Sequence, residues 1–119
     1  MTTIAQARKI VLSMPEAEER EHMGHPDFRV RRKIFATLWP KDQCAVVKLT
    51  LADQHALMQM DPRAVSLNAW SRQGWTTVNL RQVGVDRFRR LVASSWRLVA
   101  PKTLVKQHAE LVPEPRRTH

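Results

Sequence analysis

The pattern that most limits how this chain can fold lies at residues 86–99. Phe88, Leu91, Val92, Ser95 and Val99 recur there at helical spacing, while Arg87, Arg90 and Arg97 line a different stripe. A helix with one apolar stripe must bury it against another layer. A second helical pattern opens the chain, with Ile4, Ala7, Val11 and Met14 in phase and Ile10 beside them. Thr3 is placed to cap it, Gln6 completes a capping box, and Pro15 follows its end. Between these two helices the period changes to that of strands. Phe28–Val30, Lys33–Trp39, Cys44–Leu49 and Trp75–Leu80 are β-prone or alternating runs. Alternation in the second run puts Ile34, Ala36 and Leu38 on one face and Phe35, Thr37 and Trp39 on the other. The short link Val30-Arg31-Arg32-Lys33 predicts a hairpin, although it lacks the Gly or Asn that tight hairpins favour. The expected fold class is α+β, a small antiparallel sheet with the 3–13 and 86–99 helices packed on one face.

The remaining segments fit around this frame. Thr50 and Asp53 predict a capped helix over Leu51–Met60, stopped by Asp61-Pro62. Residues 63–74 read as irregular. The acidic run at 16–21 reads as an exposed connection. Asp86 is the expected cap of the long helix, which Pro101 ends, and Leu104, Val105, His108 and Leu111 suggest a further short amphipathic helix. One domain over 1–112 is expected, with 113–119 as a disordered tail.

Several segments together carry a family likeness. They are His25-Pro26-Asp27-Phe28-Arg29-Val30, Lys33 to Leu38, Ala45 to Leu49, Gly74 to Leu80, and Leu91-Val92-Ala93-Ser94-Ser95-Trp96-Arg97-Leu98-Val99. In this order and spacing the chain resembles the MmcQ/YjbR family, from the first helix to about Pro101. One departure stands out: Arg32 occupies a position, just before Lys-Ile-Phe, where relatives often carry glycine. The resemblance implies a CyaY-like (frataxin-like) fold and a DNA-binding role, and it implies no catalytic residues.

The chemistry readable from the residues is sparse. Three glycines, none clustered, exclude a phosphate-cradling glycine loop. No Gly-x-Ser-x-Gly elbow is present, and no pair of carboxylates is arranged for acid–base work. The lone Cys44 heads an apolar strand and reads as a small buried hydrophobe. His22 and His25 lie near Glu21 and Asp27, but no second ligand pair has matching spacing, so no metal site and no cofactor is expected. Iron handling, which the fold likeness suggests, is disfavoured because the first helix carries Arg8 and Lys9 and no acid. A single thiol, no apolar run of membrane length and no signal-peptide pattern at Met1–Gln6 make a cytoplasmic protein without a membrane partner the expectation.

The net charge of +9 points to a polyanionic partner. The expected function is DNA binding through Arg87, Arg90 and Arg97 on the outer stripe of the last long helix, with Arg31, Arg32 and Lys33 at the hairpin tip reaching a groove edge. Such binding would be phosphate-driven and weakly sequence-specific, since no base-reading Asn or Gln stands out on the helix. Trp75 and Trp96 are expected to be structural, whereas Trp70, near Arg72 in the irregular segment, is expected to be exposed and able to stack a base. The alternative is a non-enzymatic module for a small ligand or a protein partner.

Overall fold

The computed structural model describes residues 1–111; the expected domain end at 112 and the tail at 113–119 lie outside the described residues. Helix α1 (Ile4–Leu12) begins at the expected capping box. The Thr3 hydroxyl accepts from the Gln6 N–H, and the Gln6 side chain accepts from the Thr3 N–H. Strands β1 (Glu18–His22), β2 (His25–Val30) and β3 (Lys33–Trp39) follow as two successive hairpins. Strand β4 (Cys44–Lys48) leads to α2 (Leu51–Met60), which is capped by the Thr50 hydroxyl accepting from the Asp53 N–H. A two-residue β5 (Val65–Ser66), then β6 (Trp75–Asn79), α3 (Val85–Val99) and α4 (Lys102–Gln107) complete the chain. The strands form one antiparallel sheet in the order β1-β2-β3-β4-β6-β5. Helices α1 and α3 pack on each other and on β3, and α3 also packs on β4, so one face of the sheet carries both helices.

This is the expected α+β architecture, with three local corrections. The acidic run is not a connection: Glu18–His22 is an edge strand paired with β2. Residues 63–74 are not wholly irregular, since β5 adds a short sixth strand beside β6. Helix α3 is capped by Gly84, and Asp86 lies in its first turn, where its charge suits the positive end of the helix dipole.

A fourth difference sits inside β3. Phe28 pairs with Ala36 and Arg29 with Ile34, which leaves Phe35 without a partner on β2. This extra residue is a β-bulge, and it reverses the in–out alternation. Phe35, Ala36 and Leu38 are therefore all buried, whereas Ile34 joins Thr37 and Trp39 on the face away from the helices. On the other side of β3 the ladder to β4 stops at Ala36–Val47. The next two groups are recovered by α3: Ser95 donates its hydroxyl to the Phe35 carbonyl at 2.5 Å and accepts from the Lys48 N–H at 2.8 Å. One buried hydroxyl thus satisfies a donor and an acceptor that would otherwise be orphaned in the core.

The core lies between the helices and the sheet. Its largest fully buried side chains are Trp96, Phe28, Phe35, Phe88 and Leu38. Every residue from Leu91 to Trp96 is buried, so the middle of α3 is enclosed on all sides. Val92 and Phe88 are in the core as expected, and Val99 is half-buried. The Trp96 indole N–H donates to the Pro15 carbonyl at 3.0 Å, tying α3 to the turn after α1.

Candidate functional site

The enclosure of α3 changes what its arginines can offer. Arg87, Arg90 and Arg97 are each half-buried, and Ala93 and Ser94 between them are buried, so no continuous basic stripe faces outward. At the β2–β3 hairpin tip, Arg31 and Arg32 both take positive φ, 50° and 72°. This is the left-handed pair that a two-residue hairpin requires, made here without glycine. Arg31 is committed to Glu16 through two hydrogen bonds of 2.5 and 3.0 Å. That contact holds the Glu16 carboxyl below its usual range and raises the Arg31 guanidinium above its own. Arg32 and Lys33 are exposed at the tip. The expected cations thus sit on two elements, helix α3 and the β2–β3 hairpin tip.

What converges instead lies on the helix-free face of the sheet. In β4 and β6 the alternation is regular: Ala45, Val47, Thr76 and Val78 point into the core. Cys44, Val46, Lys48, Trp75, Thr77 and Asn79 are therefore left on the other face. The β3 bulge adds Ile34, Thr37 and Trp39 to it. A cleft of about 720 Å³ opens over this surface, walled by His25, Trp39, Trp70 and Trp75. Three of the four tryptophans therefore line one cleft, and only Trp96 is in the core. Trp75 is half-buried on the cleft wall, not in the core, and Trp70 is 63% exposed, as expected.

The walls are held in place by hydrogen bonds and stacking. His25 stacks on Trp39 with ring centres 3.7 Å apart, and the Trp39 indole N–H donates to the Thr37 hydroxyl at 2.9 Å. Trp70 sits on a loop pinned to β6. Asn68 Oδ1 accepts from the Trp70 N–H at 2.8 Å, and its Nδ2 donates to the Thr77 hydroxyl at 3.0 Å. Ser71 donates to the Trp75 carbonyl at 2.8 Å, and the buried Gln54 amide of α2 donates to the Ser71 carbonyl and the Thr76 hydroxyl. These bonds fix the backbone from which the exposed indole projects, so a ligand would not have to order the loop on binding.

The polar groups of the cleft are few. Asp27 is 1% exposed and holds Arg29 by two hydrogen bonds of 3.1 and 3.2 Å. Burial, with the nearby Asp42 charge, pushes the Cys44 thiol above its usual value. Among the described residues no three His, Cys, Asp or Glu side chains gather to hold a metal ion, and His25 faces Trp39. Nor is any described helix long and apolar enough to cross a membrane.

Of the cleft residues, only Trp70 is expected from the sequence to stack a ligand. His25, Trp39 and Trp75 share its surface because of sheet register and the bulge. A search of curated proteins finds no match. Among solved structures, the chain is similar to the crystal structure of Deinococcus radiodurans protein DR2400, which has a DUF419 domain. The TM-score is 0.76 at 18% identity, over 100% of this chain and 96% of that one, a likeness that speaks to fold. The family model named YjbR matches residues 12–98, from the end of α1 through almost all of α3, and the chain belongs to the YjbR family.

Proposed function

We propose that this protein is a non-enzymatic binding domain that takes a planar aromatic ligand on the open face of its sheet. The observation that carries the reading is the convergence of Trp39, Trp70 and Trp75 on one cleft of about 720 Å³. Concave, mostly apolar sites of this size with a few fixed polar groups are where small ligands bind. The Trp39 indole, held by Thr37, and the Trp70 indole, carried on the pinned Asn68–Ser71 loop, offer flat surfaces for stacking. The half-buried Cys44 supplies a chemical reporter inside the cleft.

Titration with neutral planar heterocycles (indole, quinoline and adenosine) tests this. At least one should quench tryptophan emission and slow alkylation of Cys44 by N-ethylmaleimide. Trp70→Ala should weaken that ligand about tenfold, because stacking a ring on one aromatic side chain is worth about 1–3 kcal/mol. The Trp70 side chain is mostly in solvent, so its loss should leave the fold intact. Absence of quenching and protection across the series would end the proposal.

A second reading places duplex DNA on the basic surface. It is favoured by the net charge of +9 and by Arg32 and Lys33 standing exposed at the hairpin tip. If α3 takes part, the triple variant Arg87→Ala/Arg90→Ala/Arg97→Ala should flatten the log–log salt dependence of binding by roughly 2–3 units. An unchanged slope would remove α3 from the interface, and no binding of the parent protein at low salt would remove duplex DNA altogether.

A further inference from the structure

Asp42 lines the sheet-face cleft at one end and Lys48 stands just outside its lining beside Trp75, and from this we propose that its ligand is a nucleoside phosphate, with the base among the tryptophans and the phosphate reaching out to Lys48. The inference rests on the reading of the cleft as a site for a planar ring. Strand β4 runs along its floor and presents Cys44, Val46 and then Lys48 to the open face. Four residues of strand separate the first from the last by about 13 Å. Asp42, on the cleft wall, marks the Cys44 end. Beyond Val46, at the rim beside the lining residue Trp75, the Lys48 ammonium lies 5.7 Å from the centre of the Trp75 ring. Among the described residues no carboxylate forms an ion pair with Lys48. Two other cations of this face are engaged, Arg29 by Asp27 at 3.1 Å and Arg20 by Glu18 at 3.8 Å.

This order of groups matches one ligand chemistry. A nucleoside phosphate has a flat ring whose N–H edge can donate to a carboxylate, a sugar in the middle, and an anion at the far end. Asp42 suits the donor edge, the three indoles suit the ring, and Lys48 suits the phosphate. The volume of about 720 Å³ is in the range of sites for such molecules. The net charge of +9 raises the local concentration of any anionic ligand. The same chemistry is offered by a free mononucleotide and by the phosphorylated end of a single strand.

The test is titration of the full chain, by tryptophan fluorescence and calorimetry, with the four ribonucleoside 5′-monophosphates, the four matching nucleosides, and a 5′-phosphorylated tetranucleotide. The best monophosphate should bind at least tenfold tighter than its nucleoside. Lys48→Met keeps the alkyl stem over Trp75 but removes the charge. It should erase that difference while changing nucleoside affinity less than twofold. A tetranucleotide that binds tighter than the monomers would identify the strand end as the source, and the reverse would identify the free nucleotide; either supports the proposal. Equal binding of nucleoside and monophosphate by the parent protein would overturn the phosphate site and leave the ring-binding cleft standing. Binding of indole or quinoline without any nucleoside or nucleotide would also overturn it. Silence with every planar probe would sink both readings.

Discussion

Gly74→Ala is expected to destabilise the protein by about 4 kcal/mol, near the upper end of what single substitutions do. Gly74 ends the short turn before β6 with φ +99°, a conformation that costs any other residue. More decisively, a methyl group there would clash with the Leu49 carbonyl oxygen. That oxygen is backbone and cannot rotate away, and the Leu49 N–H is bonded to the Gly74 carbonyl at 2.9 Å. The two strands' ends would have to separate, breaking the register of β4 with β6 at the Lys48–Trp75 pair. Gly24 provides the control. Its φ is +87°, but nothing lies within 4 Å of where a Cβ would be. Gly24→Ala should therefore pay only the conformational strain, about 1–2 kcal/mol. Chemical denaturation of the two variants measures both terms. Equal losses at the two positions would show that the approach to Leu49 is not tight.

Trp96→Ala should cost about 3–5 kcal/mol, since it removes the largest fully buried side chain and leaves a cavity that the enclosed α3 cannot fill. The loss has a second component, because the Pro15 carbonyl gives up its indole donor. Trp96→Phe should fall between the parent and the alanine variant: it keeps most of the volume and still lacks the N–H. The remaining three tryptophans all line the cleft, so the alanine variant should also emit at longer wavelength than the parent protein. A variant that melts with the parent would mean that Trp96 is not a core residue.

Much of the frame was legible because local signals and tertiary demand agreed. Thr3 with Gln6, and Thr50, cap the helices they were expected to cap, and the two long amphipathic helices share the face of the sheet that their stripes require. Where the reading failed, the deciding fact lay outside the segment being read. Glu18–His22 has no apolar residue to mark it as a strand, and it is one because β2 offers a partner edge. The bulge at Phe35 depends on how β2 and β4 pair around it, and alternation within β3 alone assigns Ile34 and Phe35 to the wrong faces. The cleft was hidden for a related reason. A tryptophan in a patterned strand looks like core until it is known which face the helices leave bare, and Trp75 and Trp39 fall on the bare one. The half-burial of the α3 arginines has a similar origin: helical spacing says which stripe they share, but not that neighbouring elements close over the middle of the helix.

The acidic edge strand has a consequence for how copies of this molecule meet. A sheet that ends in an open strand displays a row of backbone donors and acceptors to which another strand can be added. Here one end of the sheet is β5, only two residues long, and offers almost nothing to extend. The other end is β1, whose sequence Glu18-Glu19-Arg20-Glu21-His22 puts three carboxylates on five residues. A second copy aligning against β1 would set glutamates beside glutamates and would strip water from them as the strands closed. The charge that made this segment look like a mere connection makes it a poor edge for a further strand.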